Sequence, residues 1–441
     1  MRRTTAPLLL AILFGPPTVA DAADDGLAGD VAGDATYLEA LYVDLHRHPE
    51  LHDQETRTGA RMAEELRTAG FTVNANIGGN GVLGRLDNSA GPVLLVRTIM
   101  DALPVAEQTG LAYASRVTAT AADGSTVPVA HACGHDAMMT AAIGAARWLA
   151  AHRDAWRGTL LVVAQPADES ITGARTMLAD GLRERMPRPD YVLGYHLLPD
   201  YASDEVAWVE GYALAGAETA DIVVRGIPGH GSFPADARDP VPLAAQIVTA
   251  LQTLVTRRVP PLEVASLNVG YIHGGQEVNA IPAEVRLGVT VRFYDESVRT
   301  TLVEGIRRIA EYQARAYGMP DDRLPLVDFL PSGIGATFND PDLTRKARAG
   351  FERALGPDHV VAGKRLLGTD ETVAFAEAYD PPVPMLFFFY GSSAPAALAA
   401  AANGGPALPS LHAPEFKPDL APTLDTGTRA LVGAVTGILP P

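Results

Sequence analysis

Thr159-Leu160-Leu161-Val162-Val163-Ala164 runs straight into Gln165-Pro166-Ala167-Asp168-Glu169. Six uncharged residues, mostly leucine and valine, read as a strand buried on both faces. Two acids stand just beyond its carboxyl end. The same pattern recurs on either side. Pro92-Val93-Leu94-Leu95-Val96-Arg97 is a second such strand, followed by Asp101. Tyr191-Val192-Leu193-Gly194-Tyr195 is a third, and His196 closes it. Helical stretches over 136–152 and 172–185 separate these strands, and a helical pattern over 37–70 breaks at His48-Pro49-Glu50. Strands alternating with helices predict the α/β class, with a mostly parallel sheet flanked by helices. Ligands bind such sheets beyond the carboxyl ends of the strands, so the polar residues there are expected to converge on one edge.

The pattern changes after about residue 216. A strand over 219–225 leads into the turn Gly226–Gly231, a helix over 240–257, strands over 263–272 and 283–293, and a helix over 296–316. That order predicts a compact α+β unit of its own. The alternating style resumes after about 324. The expected organisation is a discontinuous catalytic domain, residues 23–215 and 324–441, interrupted by an inserted domain over 216–323. Residues 23–36, small and acidic, read as a flexible start.

The chain has 441 residues, 47% hydrophobic and 20% charged, with a net charge of −17. This fits a globular protein with ample core. The acidity and the lack of a basic tract disfavour nucleic-acid binding. Arg2 and Arg3 precede an apolar run, Ala6 to Phe14, and Ala20-Asp21-Ala22 has the form of a cleavage site. Residues 1–22 therefore read as a signal peptide, which places the mature chain in the periplasm or outside the cell. The apolar run is too short for a comfortable membrane span, so no lasting membrane anchor is expected. Without those residues 33 basic and 51 acidic side chains remain, a net of −18.

Cys133 is the only cysteine, inside His131-Ala132-Cys133-Gly134-His135-Asp136. No intrachain disulfide can form. Cys133 and His135 can both ligate a metal, and they stand at the head of a helix that Asp136 could cap. Glu169, His196 and His412 are further candidates. One thiolate, one carboxylate and three imidazoles suit zinc or a related divalent ion. Five ligands are too many for one tetrahedral site and reasonable for two metals sharing the thiolate. Of the adjacent acids Asp168 and Glu169, one then serves as ligand and the other as base towards a metal-activated water. His46, His48, His52, His152, His273 and His359 read as ordinary structural or surface histidines.

These strings resemble the dinuclear-zinc aminoacylase/carboxypeptidase family of metallopeptidases. The branch is that of hippurate hydrolases, auxin-conjugate hydrolases and thermostable carboxypeptidases. The likeness runs from Leu45-His46-Arg47-His48-Pro49-Glu50-Leu51 through Met100-Asp101-Ala102-Leu103-Pro104, His131–Asp136, Gln165–Glu169 and His196 with Pro199. It continues through Gly229-His230-Gly231 with Asp239-Pro240, and Val278-Asn279-Ala280-Ile281-Pro282, to Leu411-His412-Ala413-Pro414. The resemblance implies two divalent metals, zinc first and manganese, cobalt or nickel as alternatives. It implies Cys133, His135, Glu169, His196 and His412 as their ligands. Asp101 would orient a ligand imidazole, and Asp168 would be the general base. His230 would reach a site across a homodimer and stabilise the oxyanion. Asn279 and Arg292 would hold the substrate carboxylate. The inserted domain would act as lid and dimerisation unit. The implied activity is hydrolysis of N-acyl amino acids or small peptides with a free carboxylate.

The chain departs from that family in three places. Asp168 stands where the family usually has glutamate. Ile99 stands where it has an acid, and Asp370-Glu371-Thr372 replaces a Glu-Asp-Phe signature. One methylene fewer retracts the carboxylate by about 1.5 Å, and a misplacement of about 1 Å can cost ~100-fold in rate. Two other readings are therefore open: a catalytically impaired metal protein that binds acyl-amino acids or peptides, and a metal-free hydrolase with Cys133 as nucleophile.

Overall fold

The structure is a computed structural model that describes residues 25–441. The expected signal peptide, 1–22, lies outside the described residues. An eight-stranded sheet forms the centre. In chain order its strands are β1 (Thr72–Ile77), β2 (Gly81–Asp87), β3 (Val93–Ile99), β4 (Thr159–Gln165), β5 (Tyr191–Ala202), β6 (Val206–Trp208), β7 (Val360–Ala362) and β8 (Met385–Ser393). The spatial order is β1-β2-β4-β3-β5-β8-β6-β7. The middle pairs β4–β3, β3–β5 and β5–β8 are parallel, as is β6–β7. The pairs β1–β2, β2–β4 and β8–β6 are antiparallel. The class is mixed α/β with a large, mostly parallel sheet.

Alternation along the middle strands decides what each face buries. Leu94, Val96, Leu160, Val162, Leu193, Tyr195, Leu386 and Phe388 pack on one side. There they meet α1 (Asp25–Arg47), α2 (His135–Ala151), α3 (Pro341–Leu355) and α4 (Leu420–Ile438). Leu95, Leu161, Val163, Val192 and Met385 face the other way, onto short helices at Gly173–Ala179 and Thr372–Glu377. Arg97 follows Leu95 on that second face, inside the sheet.

Residues 216–329 supply a separate antiparallel sheet. Its strands are Ser266–Gly274, Glu284–Phe293, Gly216–Arg225 and Leu326–Phe329, in that spatial order. Helices Pro240–Arg257 and Glu296–Ala316 cover it, with a core of their own that includes Ile222, Leu243, Ile247, Leu251, Leu287, Leu302 and Ile306. Both helices start at an aspartate cap. Asp239 accepts from Val241 N at 2.9 Å and Asp295 from Ser297 N at 2.8 Å, and Pro240 sits at the first helical position.

Several local expectations need correcting. Residues 25–36 are the first turns of α1, not a flexible start. Leu27, Val31, Leu38, Leu41, Tyr42 and Leu45 form a buried stripe at helical spacing, which outweighs the cost of Gly29 and Gly33. The helix expected over 172–185 stops at Ala179, and Gly181 follows at φ 81°. His196 does not end its strand, because β8 pairs with β5 as far as Ala202. Asp136 is no cap. It lies inside α2, whose cap position is Gly134.

Asp136 instead reaches His46, buried in the last turn of α1. His46 Nδ1 lies 2.7 Å from Asp136 and Nε2 lies 3.1 Å from Glu107. Burial pulls the His46 pKa down, but the two carboxylates outweigh it and raise the pKa to about 9. The unfolded value is near 6.5, so the pair of contacts stabilises the fold fully below pH 6.5. That contribution is lost as pH rises through 9, and is about 3 kcal/mol in size. Urea midpoints measured from pH 6 to 9.5 are expected to fall over that window, and to fall distinctly less for His46→Gln.

Candidate metal centre

The site lies where the loops after β3 and β4, the head of α2 and the middle of β5 meet. Gly134 makes the tight turn between Cys133 and His135. It sits at φ 78°, and a side-chain carbon there would lie 2.7 Å from Leu197. Any other residue would be strained there and would collide as well.

Two groups of donor atoms form around Cys133. Cys133, His135 and His196 make one, and Cys133, Glu169 and His412 the other, with the atoms of each within 4.8 Å of one another. Cys133 Sγ stands 3.6 Å from His196 Nε2 and 3.2 Å from His412 Nε2. Glu169 Oε1 stands 3.9 Å from His135 Nε2 and 3.6 Å from His412 Nε2. The five residues named from the sequence as ligands are thus brought together, with the thiol common to both groups.

Two of the three imidazoles are turned for ligation. His135 Nδ1 is 2.8 Å from the Asp101 carbonyl, and His196 Nδ1 is 2.6 Å from the Leu197 carbonyl. A carbonyl only accepts, so both Nδ1 atoms donate, and in the neutral ring that a metal would bind, Nε2 is the atom with the lone pair. Asp101 touches the centre twice more. Its Oδ1 lies 3.3 Å from His135 Nδ1, and its Oδ2 accepts from Glu169 N at 2.9 Å. His412 sits at φ 69°, a strained conformation for a side chain of its size, and its N–H donates to the Ala132 carbonyl at 2.8 Å.

The donors fit divalent metal ions. His135 Nε2 and Glu169 Oε1 are buried without a hydrogen-bond partner, and such groups are costly unless something satisfies them. Thiolate, imidazole and carboxylate are the donors zinc-like ions take. A metal-free thiol is poorly suited to attack, because burial pushes Cys133 up to about 12.

A cavity of about 350 Å³ opens on the cluster. Asp168, Arg292, Thr369 and Asp370 contribute polar walls, and Leu198, Leu214, Leu366 and Leu411 apolar ones. Arg292 reaches over from the four-stranded sheet, donating to Thr369 Oγ1 at 2.9 Å. Asn279 and His230 are not among the lining residues. Both are exposed, on neighbouring segments of that other unit. Within one chain the structure therefore does not join Asn279 to Arg292 or His230 to the cluster.

Two residues passed over in the sequence stand behind the acids. Arg97 is fully buried and bonds Asp168 and Asp370. Glu55, also buried, accepts from Ala167 N at 2.7 Å. An arginine inside an otherwise apolar strand was the available signal, since a buried charge needs partners.

Residues 95–404 match the family described as Peptidase family M20/M25/M40. The chain belongs to this family. Thermostable carboxypeptidase 1 of Saccharolobus solfataricus is 31% identical over 322 residues, 72% of this chain and 78% of that protein. Hippurate hydrolase of Campylobacter jejuni is 35% identical over 281 residues, 63% of this chain and 70% of that protein. Among solved structures, a dinuclear metal-binding peptidase of the M20 family from Bacillus subtilis superposes with a TM-score of 0.73 at 26% identity. That likeness covers 92% of this chain and 98% of the other. This M20/M25/M40 chain is accordingly an enzyme, a hydrolase of amide bonds.

Proposed function

We propose that the protein is a two-metal amidohydrolase. It releases an amino acid from an N-acyl amino acid, or a C-terminal residue from a small peptide, where the leaving part carries a free carboxylate. The observation that carries this reading is the pair of donor groups sharing Cys133 on the floor of a cavity that Arg292 enters from the other unit. Cys133, His135 and His196 would hold one ion, and Cys133, Glu169 and His412 the other, with zinc first among candidates and manganese, cobalt or nickel next. Ions held there supply Lewis acidity towards the scissile carbonyl and towards water.

The protein's own groups do the rest. Asp168 takes a proton from the attacking water at its free carboxylate oxygen and delivers it to the leaving amine. Asp101 holds the His135 ring and the Glu169 backbone in place. Arg292 pairs with the substrate carboxylate; among the described residues no acid forms an ion pair with it. His230 and Asn279 complete the site from a second copy, with His230 donating to the oxyanion and Asn279 to the carboxylate.

The reading treats the unit expected over 216–323, which the strand Leu326–Phe329 extends to residue 329, as lid and dimerisation domain between the two parts of the catalytic domain. Strand Ser266–Gly274 is at the edge of its sheet and exposes Tyr271 and Ile272, and Leu262 and Val278 are exposed nearby. An apolar sheet edge of this kind is normally covered. The reading also includes export, with residues 1–22 removed.

Amine release from a panel of N-acyl amino acids and dipeptides tests the function, using protein loaded with zinc or manganese beside a chelated sample. Turnover that disappears on chelation, and that is lost when the substrate carboxylate is amidated, is the expected result. No turnover with any member, in protein shown to hold metal, would favour the binding-protein reading instead.

A further inference from the structure

We infer that Arg97 is the positioning residue of Asp168, an inference that rests on Asp168 being the base. Arg97 lies on β3 in the middle of the sheet with no exposed surface. A guanidinium there is tolerated only if its donors are taken up by well-placed acceptors. Three acceptors surround it. Nε donates to Gln165 Oε1 at 2.9 Å, Nη1 to Asp370 Oδ2 at 2.8 Å, and Nη2 to Asp168 Oδ1. The planar fork fixes directions as well as charge, which an ammonium would not do.

The acceptors are themselves held. Gln165 Nε2 donates to Glu371 Oε2 at 2.6 Å. Asp370 Oδ1 receives the Thr372 N–H at 2.7 Å and the Thr372 hydroxyl as well. Both Asp370 oxygens are therefore occupied, and that carboxylate acts as a fixed post behind the arginine. Asp168 differs. Its Oδ1 is bound to Arg97, its side chain is 16% exposed, and it lines the cavity. Among the described residues no hydrogen bond reaches its Oδ2. One oxygen is anchored and the other is presented.

The backbone on either side is pinned independently. Ala167 and Ile171 both sit at φ 55°, the left-handed region, although neither is glycine. Ala167 N donates to Glu55 at 2.7 Å and Glu169 N to Asp101 at 2.9 Å. With the turn fixed in this way, the remaining freedom of Asp168 is rotation of a short side chain, and Arg97 removes it. The short base thus matches its counter-ion: a longer side chain on the same backbone could not keep both the Arg97 contact and the same position for the free oxygen.

The test is a double-mutant cycle on the metal-loaded enzyme, comparing wild type, Arg97→Lys, Asp168→Ala and the double variant. kcat, KM, bound metal and thermal midpoint are read for each. Arg97→Lys is expected to lower kcat by ~10–100-fold, with KM within about twofold and metal content retained. In the Asp168→Ala background the same change is expected to lower kcat by less than about twofold, because the group it positions is gone. An equal loss in both backgrounds, or no loss in wild type, would overturn the inference. If Arg97→Lys loses its metal or fails to fold, Asp370→Asn takes its place in the cycle. It keeps the shape of the post and removes its charge, and the same coupling to Asp168 is required of it. Wild-type turnover in Asp168→Ala would instead remove the base assignment, and the two failures are told apart by that single variant.

Discussion

Cys133→Ala is expected to abolish binding of both metal ions and to lower kcat/KM by at least ~1,000-fold, about 4 kcal/mol of transition-state stabilisation. The thiol is the one donor common to both groups. His135 with His196, and Glu169 with His412, are left as two incomplete pairs. A loss of His412 alone should be milder. It removes one partly exposed ligand from one group and leaves the other three-donor group intact. Metal content and amine release measured on Cys133→Ala and His412→Ala check this order. Full metal content in Cys133→Ala would show that the thiol is not a shared ligand. Loss of turnover with metal retained would return weight to Cys133 as a nucleophile.

The second large effect is expected at Asp168. Asp168→Ala should lower kcat by ~100–10,000-fold, the usual range for removing a general base, with metal content unchanged. Asp168→Glu is the sharper variant. If the short side chain were a defect, the added methylene would raise the rate. The Arg97 fork predicts the opposite. The longer carboxylate either keeps its contact with Arg97 and tilts its free oxygen, or abandons Arg97 and leaves a buried cation underpaired. A fall in kcat of ~10–100-fold follows from a displacement of about 1 Å. A glutamate variant faster than wild type would contradict it.

The sequence makes some of this visible and hides the rest for identifiable reasons. β3, β4 and β5 are legible because each is a short, mostly apolar run bounded by polar residues, and helices Pro240–Arg257 and Glu296–Ala316 because their apolar residues recur at helical spacing. Glu169 is legible because it follows the carboxyl end of β4, Cys133 and His135 because they stand at the head of a helix, and His196 because it closes a short apolar run, although its strand continues to Ala202. The start of α1 is hidden, since Gly29 and Gly33 lower local helix propensity and only packing against α2 and α4 explains the helix. Arg97 is hidden for a different reason. Its partners at 165, 168 and 370 meet only through the pairing of β3 with β4 and the return of the chain beside β8. No local window contains that information. Asp370-Glu371-Thr372 reads as a mere departure until the structure shows Asp370 braced against Arg97 and Glu371 holding Gln165 and the Gly173 N–H. His230 and Asn279 are legible from resemblance alone, because one chain by itself gives them no place at the cavity.

The most direct test of a two-metal amidohydrolase is a titration. The metal-stripped protein, without its first 22 residues, would be titrated with zinc while bound metal per chain and amine release from an N-acyl amino acid are followed together. The expected result is saturation at two ions per chain, with turnover rising as the sites fill. Turnover that is already maximal in the stripped protein and indifferent to added metal would contradict the account.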